Sequence, residues 1–322
     1  MVQSLPELVR TAVREHADRP SVLLKEGDAL VSRSYAWFGE EVEVAACGLL
    51  AAGVQPGDRV VLLSENCPEW FVADCAILAA GAVTVPIYPS LPADQVAPLI
   101  SRVGARLVIV EDATQLAKIE ATRDSLPAVE RVLLFRPGKV ADQPLVRRWA
   151  EVLETGRGQQ AELREQLEQR LAGLSRESLA TIIFTSGTTG VPKAAMLTHG
   201  NLLSNIEAAD QRVRLRAGER FVTFLPQSHV FQRMVSFLGT KCGAAALYNE
   251  SLRALLPNLR ATHPTVLIVV PRFLELMRER VTESLAGKSG LAGLIARWGM
   301  GVADRYADAV TAGRQPGLVL RA

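Results

Sequence analysis

Read along the chain, short apolar runs alternate with longer stretches of mixed polarity. The runs are RVVLLS from Arg59, AVTVPIY from Ala82, RLVIVE from Arg106, RVLLF from Arg131, TIIF from Thr181, RFVTFL from Arg220, AALY from Ala245 and TVLIVV from Thr265. Most carry apolar side chains at consecutive positions rather than at every second one, as strands buried on both faces require. Between them lie segments such as CPEWFVADCAILAAG and NLLSNIEAADQRV, long enough for a crossover helix. Strand and helix taking turns predict an α/β fold of stacked, mostly parallel sheets flanked by helices. The most apolar region, Val72 to Ile87, is broken by Asp74, Gly81 and Pro86, so it reads as helix, turn and buried strand and not as a membrane span.

The rhythm breaks between Arg136 and Ser178. There AELREQLEQRLAGL places Leu163, Leu167, Leu171 and Leu174 on one helical face with charges around the rest, which predicts a connector helix lying on the surface. The N-terminal MVQSLPELVRTAVREHADRP is a charged amphipathic helix pattern without the apolar core and cleavage site of a secretory signal, so a cytoplasmic protein is expected. Near the other end, SGLAGLIARWGMGVADRYADAV has apolar residues at helical spacing.

Composition changes this picture little. A length of 322 residues allows about two ordinary domains. The 36 basic and 34 acidic residues nearly cancel, which gives no electrostatic case for nucleic acid or an anionic membrane. Cys47, Cys67, Cys75 and Cys242 form no CxxC pair and have no histidine at ligand spacing, so buried thiols are expected rather than a zinc site or disulfides. Only six of the basic residues are lysines, and one of them, Lys193, sits in the most unusual stretch of the chain.

That stretch is TIIFTSGTTGVPKAAMLTHGNL, from Thr181 to Leu202. A strand ending near Phe184 delivers the chain to the carboxyl edge of a sheet, where ligands of open α/β folds bind. Gly187 and Gly190 let the backbone turn tightly, while Thr185, Ser186, Thr188 and Thr189 add hydroxyl donors, a combination that suits phosphate oxygens. Lys193 adds a unit charge worth about 4 kcal/mol against a phosphate oxygen 4 Å away at an effective dielectric near 20. Three rival motifs fail on spacing. Pro192 and Ala194 break the Walker pattern, Ser186 lacks the flanking glycines of a nucleophile elbow, and no GxGxxG follows a strand.

FTSGTTGVPKAAMLTHGNL resembles the phosphate-binding signature of the AMP-forming adenylate ligases, the superfamily of acyl-CoA synthetases, luciferases and adenylation domains. GVQPGDRVVLLSENCPEW, VPIYPS, FLPQSHVFQRM and HPTVLIVVPRFLE extend the likeness over nearly the whole chain. LPQSHVFQR, YPS and the charged connector are most similar to the long-chain fatty acyl-CoA synthetases. Ala194 departs from the family's usual glycine, at the cost of one methyl group.

The resemblance implies a two-step reaction using ATP, Mg²⁺, a fatty acid and coenzyme A. It assigns the ATP phosphates to Thr185, Ser186, Gly187, Thr188, Thr189, Gly190 and Lys193, with the Thr185 hydroxyl also at the Mg²⁺ position. It sets His229 beside the acyl pocket and the adenylate; read from the residues alone, a histidine starting a helix and satisfied by backbone stays open. His199, in the first turn of a helix capped by Thr198, is expected to be structural, and His16 and His263 to lie at the surface. The resemblance implies the N-terminal part of an adenylate-forming large domain, with 1–55 and 220–322 in one subdomain and 56–215 in the other. The family's adenine, ribose and hinge motifs and its lid domain are not found after Met300, so the chain is expected to be a portion with little or no catalysis of its own. Two alternatives remain: a ligase for another carboxylic acid, and a nucleotide-binding scaffold without turnover. Partners are expected to be small molecules, with no nucleic acid and no transmembrane segment; peripheral membrane contact is compatible with a long-chain substrate.

Overall fold

All of the apolar runs except the one from Thr265 become strands of two sheets. The computed structural model describes residues 1–27, 29–185, 192–287 and 289–314. The chain begins with α1 (Leu5–His16), β1 (Pro20–Glu26), β2 (Ala29–Ser34), α2 (Tyr35–Ala51), β3 (Arg59–Leu63), α3 (Pro68–Ala79) and β4 (Val83–Ile87). It continues with α4 (Ala93–Val103), β5 (Leu107–Val110), α5 (Ala113–Ala121), β6 (Arg131–Leu134), β7 (Val146–Arg148), α6 (Trp149–Ala172), β8 (Leu179–Thr185) and β9 (Lys193–Thr198). Then follow α7 (His199–Val213), β10 (Arg220–Thr223), α8 (Val230–Lys241), β11 (Ala245–Tyr248), α9 (Leu255–Thr262), α10 (Pro271–Ala286) and α11 (Gly290–Thr311).

One sheet has the order β7-β6-β5-β3-β4-β8-β9 and the other β10-β11-β1-β2. All pairs are parallel except β8 with β9 and β1 with β2. The expected α/β fold of stacked, mostly parallel sheets is therefore the one observed. Along β3, Val60 and Leu62 enter one apolar cluster while Val61 and Leu63 enter another, so both faces of the strand are buried. The outer cluster packs under α4 and α5. The inner one joins α1, α2, α3 and α8 to both sheets, with Phe38 stacked on Phe71 at 5.6 Å and Phe71 edge-on to Phe237 at 5.1 Å.

Val72 to Ile87 forms helix, turn and buried strand, as the sequence predicts. The charged connector is more embedded than expected. α6 buries Trp149, Val152 and Leu167 and crosses α2 closely. At that crossing a Cβ on Gly156 would lie 2.0 Å from the Val44 carbonyl oxygen, and one on Gly48 2.3 Å from that of Val152. Only glycine permits this approach.

The strand expected from Thr265 does not form. Only Val266 makes an isolated bridge, to Phe221, and residues 265–270 are half-buried or exposed. An apolar run becomes a central strand only when neighbours cover it, and here that cover is incomplete. Residues 1–267 form one compact unit and residues 268–322 a second. Within the second, Arg278 of α10 reaches Asp304 of α11 at 3.2 Å. Among the described residues, no helix is long and apolar enough to cross a membrane.

Candidate functional site

Because β8 runs parallel to β4, its last residues lie at the carboxyl edge of the seven-stranded sheet. Past Phe184 the strand continues to Thr185, whose exposed side chain stands directly across from that of Lys193 on the antiparallel β9. The strand β9 is absent from the sequence reading. KAAMLT is only partly buried at the sheet's edge, so it carries no strong apolar signal. Arg102 of α4 donates to the Pro192 carbonyl at 3.1 Å, which ties down the start of β9. Lys193 is exposed and makes no ion pair among the described residues. Ser186, Gly187, Thr188, Thr189 and Gly190 lie outside the described residues.

The loop after β4, YPSLP, is held by Lys118 of α5. Its ammonium donates to the carbonyls of Pro89 at 2.5 Å and Leu91 at 2.8 Å, and burial lowers its pKa. The third loop at this edge, Phe224 to His229, leaves β10 of the other sheet. One side chain bridges the two: Asn66, in the β3–α3 loop, donates to the carbonyls of Thr223 at 3.1 Å and Leu225 at 2.9 Å and accepts from the amide of Gln227 at 2.8 Å. The site-facing edges of both sheets thus meet at Asn66.

His229 is the N-cap of α8, and its Nδ1 accepts from the Phe231 amide at 3.2 Å. The ring is exposed, so capping leaves Nε2 free to meet a ligand. His199 behaves as the sequence suggests. Behind the Thr198 cap it is buried, its Nδ1 accepts from the Leu5 amide at 3.2 Å, and burial with the nearby Arg233 charge pushes its pKa down to about 4.

A buried ion pair supports the site from behind. Asp74 of α3 and Arg233 of α8 are both wholly buried and joined by two hydrogen bonds of 2.7 and 2.6 Å. The sequence signals were a lone acid inside an apolar helix and an arginine four residues after His229, 159 positions apart. Neither announces the other. A cavity of about 350 Å³ opens between α1, α2 and α6, lined in part by Ala79 at the end of α3. Its lining includes no residue of the loops described above.

Residues 9–309 match the family model described as AMP-binding enzyme. A long-chain-fatty-acid–CoA ligase of Drosophila melanogaster, heimdall, is 30% identical over 98% of this chain and 48% of its own length. The long-chain-fatty-acid–CoA ligase FadD15 of Mycobacterium bovis is 36% identical over 88% of this chain and 45% of its own. The chain therefore spans about half the length of the curated relatives it matches. Among solved structures, the long-chain-fatty-acid-CoA ligase FadD1 of Archaeoglobus fulgidus superposes with a TM-score of 0.73 at 19% identity, covering 87% of this chain and 54% of that one. The N-terminal domain of FACL13 from Mycobacterium tuberculosis gives 0.67 at 21% identity, over 86% of this chain and 65% of that one. At such identities the likeness speaks for the fold.

Proposed function

The chain belongs to the AMP-binding enzyme family, and on that premise we propose that it carries the nucleotide-gripping part of an AMP-forming acid–thiol ligase for long-chain fatty acids. In the proposed reaction a carboxylate oxygen attacks the α-phosphate of ATP, giving acyl-AMP and pyrophosphate. The thiol of coenzyme A then displaces AMP and forms the thioester. The observation that carries this reading is the β8–β9 pair, which sets Thr185 opposite Lys193 at the sheet's carboxyl edge with SGTTGVP between them in sequence.

The charge of Lys193 would offset negative charge on the departing pyrophosphate, and hydroxyls at that edge would orient it. Both residues project from paired strands, so little ordering is needed when a polyphosphate arrives. Among the described residues no cluster of three His, Cys, Asp or Glu could hold a metal ion by itself. The exposed Thr185 hydroxyl would help hold a Mg²⁺ ion, which would supply further neutralisation of phosphate charge. His229, with Nδ1 engaged at the helix start, would present Nε2 to the acyl adenylate.

Exchange of labelled pyrophosphate into ATP, driven by a panel of acids given to the complete ligase, tests the reading; this chain by itself is expected to bind ATP with little or no exchange. Exchange fastest with long-chain acids is the expected result, and exchange fastest with aryl or amino acids would reassign the substrate. ATP binding without exchange would leave the scaffold alternative, and no ATP binding at all would end both.

A further inference from the structure

In the segment between β10 and α8, Gln227 and Ser228 are both buried. The Gln227 side chain accepts from Ser236 at 3.0 Å, and the buried Ser228 hydroxyl finds no partner among the described residues. Asn66 holds the backbone from the other sheet, taking up two carbonyls and one amide within five residues. Its orientation is chemically forced. The NH₂ group must face the Thr223 and Leu225 carbonyls and the oxygen must face the Gln227 amide, since the flipped amide would oppose like groups at all three contacts. Asn66 is 7% exposed, so bulk water does not replace a lost contact cheaply.

This chain of contacts leads to the imidazole. Gln227 is two residues before His229, whose own amide donates to the Pro226 carbonyl at 2.9 Å. Two consecutive restraints therefore set where α8 begins and where its capping ring stands. We propose that Asn66, contributed by the opposite sheet's β3–α3 loop, is the positioning residue for His229. The inference rests on the reading of His229 as the side chain beside the acyl adenylate, but the geometric claim is testable without it.

The chain has four histidines, so the His229 ring signals can be assigned by NMR from their loss in His229→Gln. In the wild-type protein the Asn66 side-chain amide protons should exchange slowly with solvent; exchange at free-amide rates would overturn the proposal without any variant. Asn66→Asp keeps the shape and the acceptor for Gln227 but sets an acceptor against two carbonyls, whereas Asn66→Ala removes all three contacts. Both should move the His229 ring signals and leave those of His199 in place, with the aspartate at least as disruptive. Leu167→Ala, a core change in α6, serves as the stability control. If it displaces the His229 signals equally, or if neither Asn66 variant displaces them, the positioning role is wrong.

Binding of a hexadecanoyl sulfamoyl-adenosine, a stable acyl-adenylate mimic, separates the two claims. Wild-type binding weakened about tenfold in Asn66→Asp supports both. Absence of wild-type binding would remove the ligase reading while the NMR result still decides the positioning.

Discussion

The pair formed by Asp74 and Arg233 makes a large and specific prediction about stability. Both side chains are fully buried, and the carboxylate takes Nε at 2.7 Å and Nη2 at 2.6 Å. The remaining nitrogen, Nη1, has no partner among the described residues, so the guanidinium has no second acceptor to fall back on. Removing one member of such a pair typically costs about 3–5 kcal/mol, because the survivor is a desolvated, uncompensated charge. Against a total stability of about 5–15 kcal/mol that is a severe loss. We expect Asp74→Leu and Arg233→Met each to lower stability by about 3 kcal/mol in urea titrations followed by tryptophan fluorescence, with m unchanged. The double variant should come within about 1–2 kcal/mol of wild type, since apolar side chains of similar volume replace a buried pair at little net cost. Single losses under about 1 kcal/mol, or a double variant equal to the sum of the singles, would show that the pair is not desolvated and refute the reasoning. A second readout comes from His199. With the Arg233 charge gone its pKa should rise, yet stay below the ordinary value, because burial is the larger cause.

The same histidine sets an acid limit: its pKa of about 4 in the fold, against about 6.5 unfolded, means that the unfolded chain takes up the proton first. The stability it contributes is complete above pH 6.5 and is lost as pH falls toward 4, about 3 kcal/mol in all, and His199→Gln should flatten that part of the denaturation profile. Gly156→Ala should destabilise by about 1–3 kcal/mol in thermal melts, since its methyl would meet the Val44 carbonyl at 2.0 Å. Gly158→Ala, two residues on and with nothing within 4 Å, should stabilise by up to about 1 kcal/mol; equal effects at the two positions would refute the close crossing. Lys193→Ala should leave the melting temperature unchanged, as the side chain is exposed, and weaken ATP binding about 10- to 100-fold by calorimetry; unchanged affinity would remove Lys193 from the phosphate site.

The central strands were legible because burial on both faces leaves a continuous apolar run, as Val60 to Leu63 illustrate by dividing between two clusters. TVLIVV from Thr265 carries the same local signal without becoming a strand. An apolar run records a need for cover, and whether cover arrives is decided elsewhere in the chain. The error runs the other way in KAAMLT, a strand at a half-exposed edge where backbone pairing with β8 suffices and side chains are little constrained. In α6 the leucine spacing disclosed the helix. The closeness of its packing rests on Gly156, a residue that local propensity counts against a helix.

The candidate site divides along the same line. The proposed phosphate loop would need its glycines, hydroxyls and lysine within a few residues of one another, so such chemistry is written locally, and TSGTTGVPK carries it as a proposal from sequence. The groups that hold the surrounding edge are ordinary residue types acting over great sequence distance: Asn66 reaches Thr223 across 157 positions and Asp74 reaches Arg233 across 159. They also differ in kind from the core. Apolar contacts hold the helix layer between the sheets without demanding a particular register, since many packings bury similar area. Hydrogen bonds with forced polarity, such as those of Asn66, tolerate a single arrangement. The alignment of the two site-facing edges should therefore depend on these polar links more than the stability of the layer does. Asn66→Ala should accordingly disturb His229 at a smaller cost in melting temperature than a core truncation such as Leu167→Ala, and a variant ranking in the opposite order would count against that division of labour.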